Sequence, residues 1–266
     1  MEKAAEIFFE HFGLTPGRSA ADIHRTGEVF GEIPWKNLTK FLLRSSGESR
    51  PRLAGEVMTD YVKSGTGGTC YSLTETLGSI IAACGLSARP LTGHMKHGEN
   101  IHCALLVEGK DGRFILDPGY VVPDAVKLSD SGAGEMVTAG RKMSWSPVAG
   151  GWELHTIESG RKQLRYKLES RVISRAEFLQ YWIASFKSAG LNSLHLNRVG
   201  SLGGRVSAHN GNLRIVGVSG KRNLKLHDDY ALKQRGSSCR NRRRRGTNLT
   251  PRIISSCTAC RKCFVQ

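Results

Sequence analysis

Gly67-Gly68-Thr69-Cys70 opens the segment on which the fold turns. After it, Leu73, Leu77, Ile80, Ile81 and Cys84 recur at helical spacing, and Gly85 stands where a helix ends on a left-handed residue. The spacing predicts a helix with Cys70 in its first turn, on the buried stripe. A helix N-terminus offers unpaired amides and the positive end of the macrodipole. Both favour a thiolate, and the Cys70 amide becomes the expected donor to an oxyanion. Gly67 and Gly68 are expected to let the chain turn sharply into that helix.

The apolar-rich runs 101–108 and 113–117 flank Gly109-Lys110-Asp111-Gly112, a strong hairpin signal. Side chains alternate along a strand. Any loop of two or four residues centred on this turn therefore puts His102 and Asp117 on one face of the sheet, directly opposite or one or two diagonal steps apart. Pro118 then stops the strand. A cysteine is a useful nucleophile only as thiolate, which requires an imidazole to take its proton and a carboxylate to orient that imidazole. Cys70, His102 and Asp117 supply all three, in the order of a thiol acyl-transfer triad. Cys84 and Cys103 are read as core packing. His94, His97 and His102 lie close in sequence but match no metal-ligand spacing, so no metal is expected, and His94 and His97 are read as loop or strand-end residues.

Residues 1–85 read as mainly helical: an amphipathic helix in residues 1–13 rather than a signal peptide, with further amphipathic pieces at residues 20–23 and 35–43. Residues 86–172 read as strands and turns, with a second hairpin around Glu158-Ser159-Gly160-Arg161. Ser174-Arg175-Ala176-Glu177 is a capping box that starts a helix carrying Phe178, Tyr181 and Trp182, whose spacing fits packing. Residues 191–227 return to short strands.

At this point the chain resembles a known family. The arylamine N-acetyltransferases carry Arg-Gly-Gly-x-Cys-x-Glu-x-Asn, which is similar to the stretch with Gly67, Gly68 and Cys70, and their later His and Asp fall on His102 and Asp117. Their Ile-Pro-Phe-Glu-Asn-Leu is similar to Ile33-Pro34-Trp35-Lys36-Asn37-Leu38, which follows a helical segment containing His24. A fainter match runs through Asn197-Arg198 and Gly204-Arg205 to Asn212-Leu213-Arg214. The resemblance covers roughly residues 1–230. It implies an α+β fold with a cysteine-protease-like core: a helical bundle ending in the nucleophile helix (1–85), a central antiparallel β-barrel-like sheet carrying His and Asp (86–172) and a smaller α/β lid domain (173–230). It implies acetyl-CoA as cosubstrate, with no bound cofactor, and a small amine as acceptor. No motif identifies the coenzyme A contacts. The departures are Thr66 for the family arginine, Lys36 for its glutamate, Ser72 and Thr74 for the Glu and Asn after the nucleophile, and Asp117-Pro118-Gly119-Tyr120 where the family has Asp-Val-Gly-Phe-Gly. They touch support residues and the cleft, not the triad.

With 266 residues and 39% hydrophobic content the chain can bury a sizeable core. No apolar run approaches the ~20 residues of a membrane span, and the cytoplasm is the expected compartment. Residues 231–266 differ in kind. They hold ten Lys or Arg and no Asp or Glu, leaving the rest with 29 basic against 23 acidic residues, so most of the net +16 is local to the tail. The tail is expected to be a solvated, disordered segment or the product of a shifted reading frame. Nucleic acid is a less favoured partner, because Phe264 alone is available for stacking. Cys257, Cys260 and Cys263 have a metal-like spacing, but a convincing site needs a fourth ligand and a supporting fold, and no metal is expected there. The function expected is acyl transfer through a thioester on Cys70. The alternatives are a transglutaminase-like thiol enzyme acting on amides and a non-catalytic basic binding protein on the same scaffold.

Overall fold

The computed structural model describes residues 3–128, 134–188, 193–200, 203–217 and 220–225. The basic tail and its cysteines lie outside the described residues. The fold is α+β. It begins with α1 (Lys3–Phe12) and α2 (Ala20–Phe30), then the short β1 (Trp35–Lys36), α3 (Leu38–Ser45), α4 (Ala54–Ser64) and α5 (Cys70–Ala83). Strands β2 (Ser87–Met95), β3 (Gly98–Gly109) and β4 (Gly112–Asp117) follow, then a single 3-10 turn at Pro118–Tyr120 and β5 (Val122–Lys127). After β6 (Gly134–Thr138), β7 (Arg141–Val148), β8 (Gly151–Glu158) and β9 (Arg161–Val172) come α6 (Arg175–Ser185), β10 (His195–Val199), β11 (Arg205–His209), β12 (Asn212–Gly217) and β13 (Gly220–Lys225).

Two antiparallel sheets result. The larger has the order β5-β4-β3-β2-β9-β8-β7-β6 and curls into a nearly closed barrel. Its two edges meet where Thr138 on β6 donates to the Asp124 carboxylate on β5. The smaller runs β1-β10-β11-β12-β13. Residues 35–43, expected as one amphipathic helical piece, divide. Trp35 and Lys36 pair with Asn197 and Leu196 as a strand, and the helix starts only at Leu38. The pairing partner lies some 160 residues away, and its ladder overrides the local helical pattern. The separate helix α4 carries no equally plain signal.

The core follows the alternation of β3 and β4. Leu105, Val107, Phe114 and Leu116 pack against Leu73, Leu77, Ile80 and Ile81 of α5 and against α1 and α2. Ala104, Leu106 and Ile115 point the other way, into the barrel, with Leu154, Tyr166 and Leu168. One strand pair therefore joins the helical layer to the barrel interior, and the ends of that pair carry the candidate site. Helix α6 begins at Ser174 with both hydrogen bonds of its capping box in place and buries Phe178 and Trp182 against Tyr71.

Candidate active site

Helix α5 begins at Cys70, as its spacing requires. The glycines before it serve a different purpose from the expected one. Neither has a positive φ. A Cβ on Gly67 would lie 1.8 Å from the Pro34 carbonyl oxygen, so glycine is needed for close approach of two backbones rather than for a turn. Gly68 accepts from the Lys36 amide (2.8 Å) and donates to Pro34 (3.2 Å), which moors the nucleophile loop to the strand entering the second sheet. Arg52, almost fully buried, donates to the Gly67 carbonyl (2.9 Å) and pairs with Asp60. This guanidinium is delivered from the loop before α4. No sequence signal distinguished Arg52 from a solvated arginine.

The β3–β4 hairpin closes through a two-residue loop, with Gly109 opposite Gly112 and Leu105 opposite Leu116. Continuing that register puts Asp117 one diagonal step from His102, both facing the barrel interior. His102 Nε2 and Asp117 Oδ2 are 2.9 Å apart and both residues are buried. With Nε2 committed to the carboxylate, Nδ1 is the ring atom left for the thiol. Asp117 is held on both oxygens: Oδ1 accepts from the Tyr120 amide (2.9 Å), and Oδ2 also accepts from the Tyr166 hydroxyl. The Tyr166 ring lies 4.4 Å from the imidazole, centroid to centroid. Tyr166 looked like one more alternating strand residue in the sequence; its role appears only when β9 pairs beside β2.

The Cys70 thiol lies 3.7 Å from the Ile101 carbonyl, to which it can donate, and Cys103, His102 and the Tyr71 amide all act to favour its thiolate. Together, with Cys103 first, these outweigh burial and lower its pKa to about 5. Burial pulls the His102 imidazole down, yet the Asp117 charge and hydrogen bond, helped by Cys70, carry it up to about 10. The stable form between those values is a thiolate–imidazolium pair. Cys103, expected to be core packing, is completely buried but also touches the nucleophile; burial and that contact hold its own thiol well above the usual range. Gly119 closes the site from the other side, where a Cβ would lie 2.5 Å from Cys70 Cβ and 3.1 Å from His102 Cε1.

The remaining expected residues fall into supporting places. Thr74 donates to the Cys103 carbonyl (3.4 Å) and Ser72 to Thr69 (3.0 Å). His94, at the end of β2, bridges Glu169 (2.9 Å) and the Asn100 amide (3.3 Å), while Tyr71 donates to the Asn100 carbonyl. These bonds fix the chain just before His102. His97 lies in the β2–β3 turn. Among the described residues no group of three or more His, Cys, Asp or Glu is placed to hold a metal ion.

No family model matches the chain, and no curated protein matches it in sequence. Solved structures do match. An arylamine N-acetyltransferase from Salmonella typhimurium superposes with a TM-score of 0.73 at 17% identity, over 88% of this chain and 89% of its own. The Mycobacterium marinum arylamine N-acetyltransferase, solved in complex with CoA, gives 0.73 at 17% identity over 86% and 89%. The Bacillus cereus enzyme, described as having a unique Cys-His-Glu catalytic triad, gives 0.69 at 13% over 89% and 98%. The chain has the fold of the arylamine N-acetyltransferases, and in that fold it brings a thiol, an imidazole and a carboxylate together.

Proposed function

We propose that this protein is an acyltransferase of the arylamine N-acetyltransferase type, which carries an acetyl group from acetyl-CoA to an amine through a thioester on Cys70. One observation carries the proposal: the buried His102–Asp117 pair at 2.9 Å stands against a cysteine in the first turn of a helix. The fold is shared with a protein that was solved with CoA.

In the first half-reaction the Cys70 thiolate attacks the thioester carbonyl and the oxyanion forms beside the α5 N-terminus. Collapse expels the coenzyme thiolate, which takes the proton from imidazolium His102. In the second, the amine attacks the acyl-cysteine, the now neutral His102 takes the amine proton, and Cys70 leaves as thiolate. The thiolate–imidazolium pair is restored. Asp117 holds the imidazole throughout, with Tyr166 and the Tyr120 amide fixing its orientation. A reducing compartment such as the cytoplasm suits this chemistry, since it keeps Cys70 and Cys103 as thiols. No described helix is long and apolar enough to cross a membrane.

The test is intact mass spectrometry after incubation with acetyl-CoA and no acceptor. A gain of one acetyl group that maps to Cys70, is absent in Cys70→Ser and is discharged by an arylamine supports the proposal. Failure to acylate, combined with turnover of a glutamine-containing peptide, would assign the triad to amide chemistry instead.

A further inference from the structure

Strands β2 and β3 do not pair evenly at the end that carries His102. Gly93 stands opposite His102 and Met95 opposite Gly98, so three residues of β3, Glu99, Asn100 and Ile101, face one residue of β2, His94. A bulge of this kind frees its extra residues from the ladder and re-aims the side chain beside it, which here is the triad histidine. Side chains take over the hydrogen bonds that the ladder does not supply. His94 Nδ1 accepts from the Asn100 amide (3.3 Å), and Tyr71, the second residue of α5, donates its hydroxyl to the Asn100 carbonyl. The next carbonyl, that of Ile101, lies 3.7 Å from Cys70 Sγ. Asn100 has φ +51°, a left-handed conformation that costs energy at any residue with a side chain, and these two bonds hold it there.

The Asn100 amide can only donate, so Nδ1 of His94 carries no proton and Nε2 does. That proton goes to Glu169 Oε1 (2.9 Å) on β9, whose other oxygen accepts from Thr92 (3.4 Å) and lies 3.8 Å from Arg171 Nε. Glu169 thus fixes the tautomer that holds Asn100. Asp117 orients the His102 ring, while the bulge sets where its strand begins. The chain from Asn100 to His102 meets α5 at both Tyr71 and Cys70, so a shift of the bulge moves the imidazole relative to the thiol.

We propose that His94, with Tyr71 acting on the same residue, is a positioning residue for acyl transfer: by holding the bulge at Asn100 it sets the approach of His102 to Cys70. This inference rests on the acyl-transfer function proposed above.

The experiment uses the full chain at about pH 8, high enough for a histidine Nδ1 to keep its lone pair, with p-nitrophenyl acetate as well as acetyl-CoA as acyl donor. The burst of p-nitrophenolate, absent in Cys70→Ser, gives the maximal rate of Cys70 acylation and the half-saturating concentration separately. In His94→Ala the maximal rate should fall about tenfold or more while half-saturation stays within about twofold. In His94→Asn the side-chain oxygen stands where Nδ1 does and should restore the rate to within about threefold of wild type. In His94→Gln the amide stands where Nε2 does, reaches only Glu169 and should restore little. Tyr71→Phe keeps the ring and should slow the same step. A role in stability alone would make the rates follow the thermal midpoints instead of this order. An unchanged rate in His94→Ala, equal rates in His94→Asn and His94→Gln, or a loss confined to half-saturation overturns the proposal. Tyr71→Phe decides alone if the His94 variants do not fold. If the wild-type protein shows the burst but takes no acetyl group from acetyl-CoA, the acyl-transfer function fails separately, and the positioning role is still read from the ester. If neither donor acylates Cys70, both fail.

Discussion

At Cys70 a neighbouring thiol, an imidazole and a backbone amide act on one sulfur, and the three together set when it reacts. Because its pKa is lowered to about 5, the reactive thiolate persists as pH falls and is lost only through that value. Alkylation by iodoacetamide, followed by intact mass, should therefore stay near its plateau at pH 7 and pH 6. An ordinary thiol of pKa about 8.5 would already be largely protonated there. Loss of reactivity below pH 8 would contradict the ion pair. Cys103, packed in the same cluster, is the first contributor to the lowering, so Cys103→Ala should move the alkylation midpoint upward while Cys70 remains the site of labelling. An unmoved midpoint would return Cys103 to simple packing.

Short elements place these residues, and each has a point where one atom decides. The 3-10 turn after Asp117 brings Gly119 against Cys70 and His102, with no room for a methyl group. Gly119→Ala should cut acyl transfer by roughly a hundredfold, the scale expected when reacting groups are displaced by about 1 Å, and the far-UV spectrum should remain that of the wild type. The loop before α5 depends on Arg52, whose removal leaves the Gly67 carbonyl without its side-chain donor. Arg52→Met should lower stability by about 1–3 kcal/mol in urea unfolding. Arg50 is half-exposed in its ion pairs with Glu48 and Glu56, so Arg50→Met should cost about 1 kcal/mol or less in the same assay.

Across the whole molecule the barrel meets the second sheet at the β6–β7 turn, where Gly140 has φ +69° and abuts Val216. Gly140→Ala should cost about 1–2 kcal/mol from the left-handed backbone, and more if Val216 cannot withdraw. The thermal midpoint measures it. The Lys221–Glu158 ion pair also joins the two sheets, but it is solvent-exposed, and Lys221→Ala should leave that midpoint nearly unchanged.

The sequence by itself determined the helix that starts at Cys70, the β3–β4 hairpin, the common face of His102 and Asp117 and the capped start of α6. Each of these is a local matter of period, turn chemistry or capping, complete within about fifteen residues. Tertiary structure alone decided that Tyr166 reaches Asp117 and Cys103 reaches Cys70. It also decided that Arg52 supports the nucleophile loop and that Trp35 pairs in a sheet instead of beginning a helix. Those choices depend on which strands become neighbours and on how closely two backbones approach, as at Gly67 and Pro34. Such long-range packing leaves no periodic trace in the residues that take part in it.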